Sequence, residues 1–248
     1  MNETPPFSLH GADRTGPWVI TVDHATNRVP SWVAGGDLGL PAADMNRHIA
    51  FDIGALGVAL ALGDLLDSPV IASDFSRLVI DPNRGLDDPT LMMKLYDGTI
   101  IPANHPLQDA NRQRRITELY TPYHTALANL MADRQDPVLL AIHSFTPQLK
   151  NRAPRPWEIG ILFAQDSRLS DPLITQLQAQ ADVTLGINQP YVGHLPGDSV
   201  DQHALKHGHL NTLVEVRNDL IETPQAQAAW AARLAPALMA ALAQAKAP

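Results

Sequence analysis

Seven short runs stand out along the chain, at residues 18–22 (WVITV), 70–72, 78–80, 138–142 (VLLAI), 159–163 (IGILF), 183–187 and 212–216. Most are apolar on consecutive positions. A strand covered on one face alternates apolar and polar residues, whereas one covered on both faces reads as a continuous apolar run. Between these runs lie stretches with helical character. Residues 49–66 are apolar almost all round, which predicts a core helix. Residues 109–133 form a second helical stretch, with Pro122 expected to break or kink it. Residues 171–181 place Pro172 in a first turn, where its missing N–H costs nothing. From Thr223 onward, with Pro224 at the first helical position, Trp230, Leu234, Leu238 and Leu242 recur every four residues and make one apolar stripe. Strands alternating with helices predict an α/β layered domain around a mainly parallel sheet.

Composition narrows the function. The 248 residues are 45% hydrophobic, too apolar for a disordered chain. There is no cysteine, hence no disulfide framework and no thiol nucleophile. The formal charge of −8, with no basic run, argues against nucleic acid as a partner and gives no attraction to anionic membranes. The first residues show no signal peptide pattern. The longest apolar stretch, 53–63, is far short of the roughly 20 residues that span a bilayer. A cytoplasmic location without membrane attachment is therefore expected.

In parallel α/β sheets ligands collect beyond the carboxyl ends of the strands. The run WVITV is followed by Asp23-His24, VLLAI by His143-Ser144, and TLVEV contains Glu215 and is followed by Arg217. The expected helix at 49–66 is preceded by His48 and carries Asp52. The two are four residues apart, so they are expected to share one helix face. Ionisable groups on an otherwise apolar helix need partners, because burying them unpaired costs several kcal/mol. A metal ion is one such partner, since two imidazoles and a carboxylate make the ligand set of a catalytic zinc site. Each residue also has a plainer explanation. A lone histidine is more often a hydrogen-bonding core residue, Asp52 can complement a helix dipole, and Glu215 can pair with Arg217 or another arginine.

A second constellation is SDFSRLVIDPNR, residues 73–84. Arg77 and Arg84 flank a short apolar run there, and guanidinium forks suit an acidic substrate. The alternative is a structural salt bridge of either arginine with Asp81. No phosphate-binding glycine loop and no G-x-S-x-G elbow occurs. By elimination, a metal-activated water is the best available nucleophile.

Taken together, VDHATNRVP (22–30), HIAFDIGALGVALAL (48–62), SDFSRLVIDPNR (73–84), AIHSFTP (141–147), WEIGILF (157–163), NQPY (188–191) and LVEVRND (213–219) resemble the N-formylglutamate amidohydrolase family, in family order over nearly the whole chain. The opening DHATN and Leu78 after the arginine of the SR pair depart from the PH-x-G and SR-aromatic patterns of the formylglutamate deformylases.

The resemblance implies a single domain over residues 1–248, built as a three-layer α/β/α sandwich on a mainly parallel, mixed sheet. It also implies a zinc-dependent hydrolase of an amide C–N bond. By that likeness, and that of the similarly laid out peptidoglycan amidases, His24 and His143 are metal ligands and Asp52 or His48 supplies the third, Asp52 being favoured. Glu215 is the general base. His203 or Arg217 is expected to donate to the developing oxyanion, although His203 can instead be solvent-facing. Arg77, Asn83 and Arg84 are expected to hold a small acidic amide substrate such as N-formyl-L-glutamate. Two alternatives remain: an amidase or peptidase acting on peptide or peptidoglycan-type amides, and a metal-free binding protein on the same fold.

Overall fold

The computed structural model describes residues 5–247. The elements run β1 (Phe7–His10), β2 (Trp18–Val22), α1 (Ala42–Met45), α2 (Ala55–Leu65), β3 (Val70–Ser73), β4 (Leu95–Tyr96), β5 (Thr99–Ile100), α3 (Asp109–Arg115), α4 (Thr121–Ala132), β6 (Val138–Phe145), β7 (Ile159–Leu162), α5 (Ser170–Gln178), β8 (Leu185–Ile187), α6 (Ser199–His203), β9 (Leu210–Arg217) and α7 (Pro224–Ala245). β4 and β5 form a separate small hairpin. The other strands make one sheet in the order β1-β3-β2-β6-β9-β7-β8. β3, β2, β6 and β9 are parallel, while β1 and β7 run antiparallel to β3 and β9. β8 is parallel to β7.

Consecutive apolar residues in the central strands serve two cores. Ile20, Leu140, Ile142, Val214 and Val216 pack under α2, α5 and α7. Val19, Leu139 and Ala141 face Tyr123, Leu127 and Leu130 of α4 and Val200 of α6. This is the expected α/β/α sandwich on a mixed sheet. A third apolar cluster, including Val33, Phe75, Leu78 and Ile80, lies under the segments that flank the site. Among the described residues, no helix is long and apolar enough to cross a membrane.

Three expectations are corrected. The run 78–80 is a buried turn and not a strand. Its carbonyls are satisfied by side chains: Asn104 Nδ2 donates to Leu78 O (2.8 Å) and Arg115 Nη1 to Val79 O (2.8 Å). Periodicity alone cannot separate such a turn from a buried strand. The helix expected from residue 49 begins at Ala55, because Gly54 takes a left-handed φ of 79°. A Cβ there would meet Ile221 O at 2.3 Å. His48 and Asp52 therefore precede the helix and share no helix face. Pro122 does not break the stretch at 109–133, since a π turn over Ile116–Tyr120 carries the chain from α3 into α4.

Candidate active site

The site lies where β2, β6 and β9 end. His24 follows β2, and His143 lies in β6 directly opposite Glu215 in β9, so both side chains stand on one face of the sheet. Asp52 comes from the turn before α2, anchored by its own N–H donating to His24 O (2.8 Å). Its Oδ2 lies 2.8 Å from His143 Nδ1 and 3.3 Å from His24 Nδ1. The two imidazoles meet edge to face with centroids 5.0 Å apart. His24, Asp52 and His143 are all buried, and their ligating atoms lie within 4.8 Å of one another.

The far sides of both rings are backed by carboxylates. His24 Nε2 is 2.6 Å from Asp81 Oδ1, and His143 Nε2 is 3.4 Å from Asp23 Oδ2. Asp23 Oδ1 accepts from Tyr123 OH (2.6 Å) and Ser199 Oγ (2.9 Å). Asp81 Oδ2 accepts from Arg77 Nη2 (2.8 Å), whose Nη1 is 3.5 Å from Asp52 Oδ1. Burial pushes the Asp52 and Asp23 carboxyls upward, but the histidines beside them more than offset it. Asp52 is held far below the usual range, and Asp23 at about 2. Burial lowers His143, and the hydrogen bonds and charges of Asp23 and Asp52 reverse that and raise it. Glu215 is pushed up to about 7, first by burial, against His143 and with Asp52. Its Oε2 has no hydrogen-bond partner among the described residues.

These groups open into a cavity of about 370 Å³, also lined by His48, Arg77, Asn83, Arg84, Tyr96 and Tyr191. His48 lines the same cavity but is not part of the ligand cluster, its Nε2 lying 3.4 Å from Asp97 Oδ2. That leaves Asp52 as the third member of the set. Arg77 reaches the cavity and pairs with Asp81, so the structural salt bridge is present, while its Nε has no hydrogen-bond partner among the described residues. Arg84 makes no ion pair among the described residues, its Nε bonding Thr90 Oγ1 (3.1 Å) and its Nη1 bonding Asn83 O (2.6 Å). Asn83 Oδ1 accepts from Ser199 N (3.2 Å).

Neither expected oxyanion donor is on the cavity wall. His203 is buried and not solvent-facing, its Nε2 2.8 Å from His124 Nδ1, with His124 Nε2 donating to Pro82 O (3.0 Å). Arg217 pairs with Asp219 (2.8 Å) and bonds Trp157 O (3.2 Å). Tyr191 was not singled out by residue-level reading. It lines the cavity, and its OH accepts from Arg155 Nη1 (3.2 Å). Its segment stood out only as part of NQPY. The two outer acids had a local signal: Asp23 abuts His24, and Asp81 lies between the two arginines.

The donor set fits a zinc ion. Two imidazole Nδ1 atoms face one carboxylate oxygen. His24 has its other nitrogen hydrogen-bonded to Asp81, the arrangement that orients metal-bound histidines, and His143 has Asp23 within 3.4 Å without a hydrogen bond. An α/β sandwich that gathers two imidazoles, a carboxylate and Glu215 at its strand ends has the arrangement of a hydrolytic site. The family model of N-formylglutamate amidohydrolase matches residues 16–222, and the chain belongs to that family. The structure is similar to a gene product of Agrobacterium tumefaciens at 34% identity and a TM-score of 0.92, covering 98% of this chain and 97% of that one. It shares its fold with N-formylglutamate amidohydrolase from Ralstonia eutropha JMP134 at 20% identity and a TM-score of 0.68, covering 95% and 96% of the two chains. No curated protein sequence matches the chain.

Proposed function

We propose that the protein is a zinc-dependent amidohydrolase that cleaves the amide C–N bond of an N-formyl or short N-acyl amino acid. The observation that carries this is the convergence of His24, Asp52 and His143, with the unpartnered Oε2 of Glu215 on the same cavity. A zinc ion held by those three residues supplies Lewis acidity that acidifies a water and polarises the amide carbonyl.

The chain's own groups do the rest. Glu215, at about 7, is poised to be ionised or protonated near neutrality. Its Oε2 takes a proton from the attacking water and delivers it to the departing nitrogen as the C–N bond breaks. Asp81 holds the His24 imidazole with Nδ1 inward, and Asp23 places a negative charge behind His143. Arg77 keeps the Asp52 and Asp81 carboxylates ionised and in place. Arg84, with Asn83 beside it, receives the substrate carboxylate. His203 and Arg217 have no role in this scheme.

The test is metal analysis together with hydrolysis of an N-formyl amino acid panel. Glu215→Gln is expected to keep one zinc per chain and lose turnover by at least about 10²-fold. A Glu215→Gln enzyme at near-normal rate removes the base assignment. Absence of zinc uptake by the native chain removes the metal reading altogether.

A further inference from the structure

The proposed reaction builds negative charge on the amide oxygen, and His203 and Arg217 are both turned to other partners. The cavity wall carries other donors. Ser144 Oγ already donates to Ile53 O (2.8 Å) and Thr146 Oγ1 to Gln148 O (3.1 Å). Arg84 and the unpartnered Nε of Arg77 are cationic and suit the carboxylates of an acidic substrate. The phenols of Tyr96 and Tyr191 remain. Tyr96 belongs to the Arg77 side of the cavity, its ring centre 5.4 Å from that guanidinium and 6.1 Å from the centre of the His48 ring.

Tyr191 belongs to the Glu215 side. The register partner of Glu215 in β7 is Gly160, so the two positions share one face of the sheet. A Cβ at Gly160 would run into Gln189 O, so the segment after β8 crosses the sheet at this point, two residues before Tyr191. Asn188 pins that segment to the end of β7: its N donates to Ile161 O (2.9 Å) and its Oδ1 accepts from Phe163 N (2.9 Å). The hydroxyl is set by Arg155, whose Nη1 donates to Tyr191 OH (3.2 Å) and to Thr146 O (3.0 Å), with the guanidinium 4.9 Å from the tyrosine ring centre. A guanidinium has no acceptor, so the phenol oxygen accepts from it and the phenol proton is left over. Among the described residues that proton is donated to no group. Burial, and then the charges of Glu215 and Tyr96, push the phenol well above its usual value against the pull of Arg155, so it keeps its proton.

From this we infer that Tyr191 is a catalytic residue of the amide hydrolysis: its OH donates a hydrogen bond to the amide oxygen as that oxygen becomes an oxyanion, and Arg155 is its positioning residue. This rests on the amidohydrolase proposal. Water adds to the carbonyl carbon, a C–O bond forms, and the carbonyl π pair moves onto the oxygen that faces Tyr191. When the pair returns, the C–N bond breaks and the nitrogen takes the proton carried by Glu215. The products are a carboxylate (formate for an N-formyl compound) and the free amino acid, and Tyr191 ends with the proton it began with. The donor is fixed in place before the charge forms, and a charged oxygen accepts more strongly than an amide oxygen. The interaction therefore lowers the barrier more than it tightens substrate binding.

The experiment uses the zinc-loaded full chain, the N-formyl amino acid that it turns over fastest, and the phosphinate analogue of that compound, in which a tetrahedral H–PO2⁻ group on CH2 replaces the formyl-NH unit. Tyr191→Phe is expected to lower kcat about 10²-fold with KM little changed. By titration calorimetry it is expected to bind the phosphinate about 10²-fold more weakly and the product amino acid as the native chain does. Arg155→Met is expected to lower kcat by a smaller factor, again with KM kept. A Tyr191→Phe enzyme with native kcat and native phosphinate affinity overturns the inference and leaves the hydrolase proposal standing. A loss confined to KM overturns it too, since Tyr191 would then only bind substrate. The kcat loss appearing in Tyr96→Phe and not in Tyr191→Phe assigns the donor to the other phenol and overturns it as well. Failure of the native zinc-loaded chain to hydrolyse any N-formyl amino acid overturns the hydrolase proposal, and this inference with it.

Discussion

Replacing Asp81 with asparagine tests whether the acids behind the imidazoles set the metal site. Asp81 is fully buried, and its two oxygens serve three donors: His24 Nε2 at 2.6 Å, Asn83 N at 2.9 Å and Arg77 Nη2 at 2.8 Å. Asparagine offers one acceptor oxygen and one NH2 donor. If its oxygen stays with His24 and Asn83, its Nδ2 is driven against the Arg77 guanidinium. If it turns the other way, His24 Nε2–H loses its acceptor, and the tautomer that leaves Nδ1 free is no longer favoured. Loss of such an outer partner costs about 10–100-fold in metal affinity, or about 1.4–2.7 kcal/mol. Arg77, left with Asp52 at 3.5 Å, adds a fold-stability penalty of about 3 kcal/mol for a broken buried pair. Competition with a chromophoric zinc chelator reads the affinity, and urea unfolding of the metal-free protein reads the stability. A folded Asp81→Asn protein that binds zinc as tightly as the native chain would show that Asp81 does not orient His24.

Three further outcomes follow from the same geometry. Asp52→Ala is expected to abolish stoichiometric zinc, and His48→Ala to retain it, by elemental analysis. The reverse pattern would reinstate His48 as the ligand. Burial lowers His124 to about 4 and His203 to about 3, so both stay neutral in the folded chain while their unfolded counterparts take up protons below about 6.5. The unfolded state then binds more protons, and stability falls with pH from about 6.5 towards 4, by up to about 1.4 kcal/mol per pH unit for each imidazole. Urea unfolding at stepped pH is expected to show a shallower slope in His203→Gln than in the native chain, and equal slopes refute the pair's contribution. Leu238→Ala, at a fully buried position on the apolar stripe of α7, is expected to destabilise by about 2–5 kcal/mol in the same assay.

Much of the layered fold is legible from local pattern alone. Continuous apolar runs mark strands covered on both faces, and the four-residue spacing of Trp230, Leu234, Leu238 and Leu242 marks α7. His24, His143 and Glu215 are legible for a related reason. They sit at or near the ends of such runs, where a parallel sheet presents ligands. The turn at 78–80 reads as a strand because an apolar run records burial and not pairing. Its carbonyls are met by Asn104 and Arg115, which lie 26 and 36 residues further on. The start of α2 is set by Ile221 O pressing on Gly54, a contact across the whole chain.

The sequence by itself determines which chemistry is available: imidazole, carboxylate and guanidinium groups after apolar strands, and no thiol. The tertiary structure alone decides which of them meet. It brings Asp52 and not His48 against His24 and His143, pairs Arg77 with internal carboxylates while Arg84 has no carboxylate partner among the described residues, and turns His203 and Arg217 to other partners. The reason is that propensity and periodicity act within a few residues, while ligand geometry, desolvation and charge pairing depend on atoms brought within about 4 Å from distant parts of the chain.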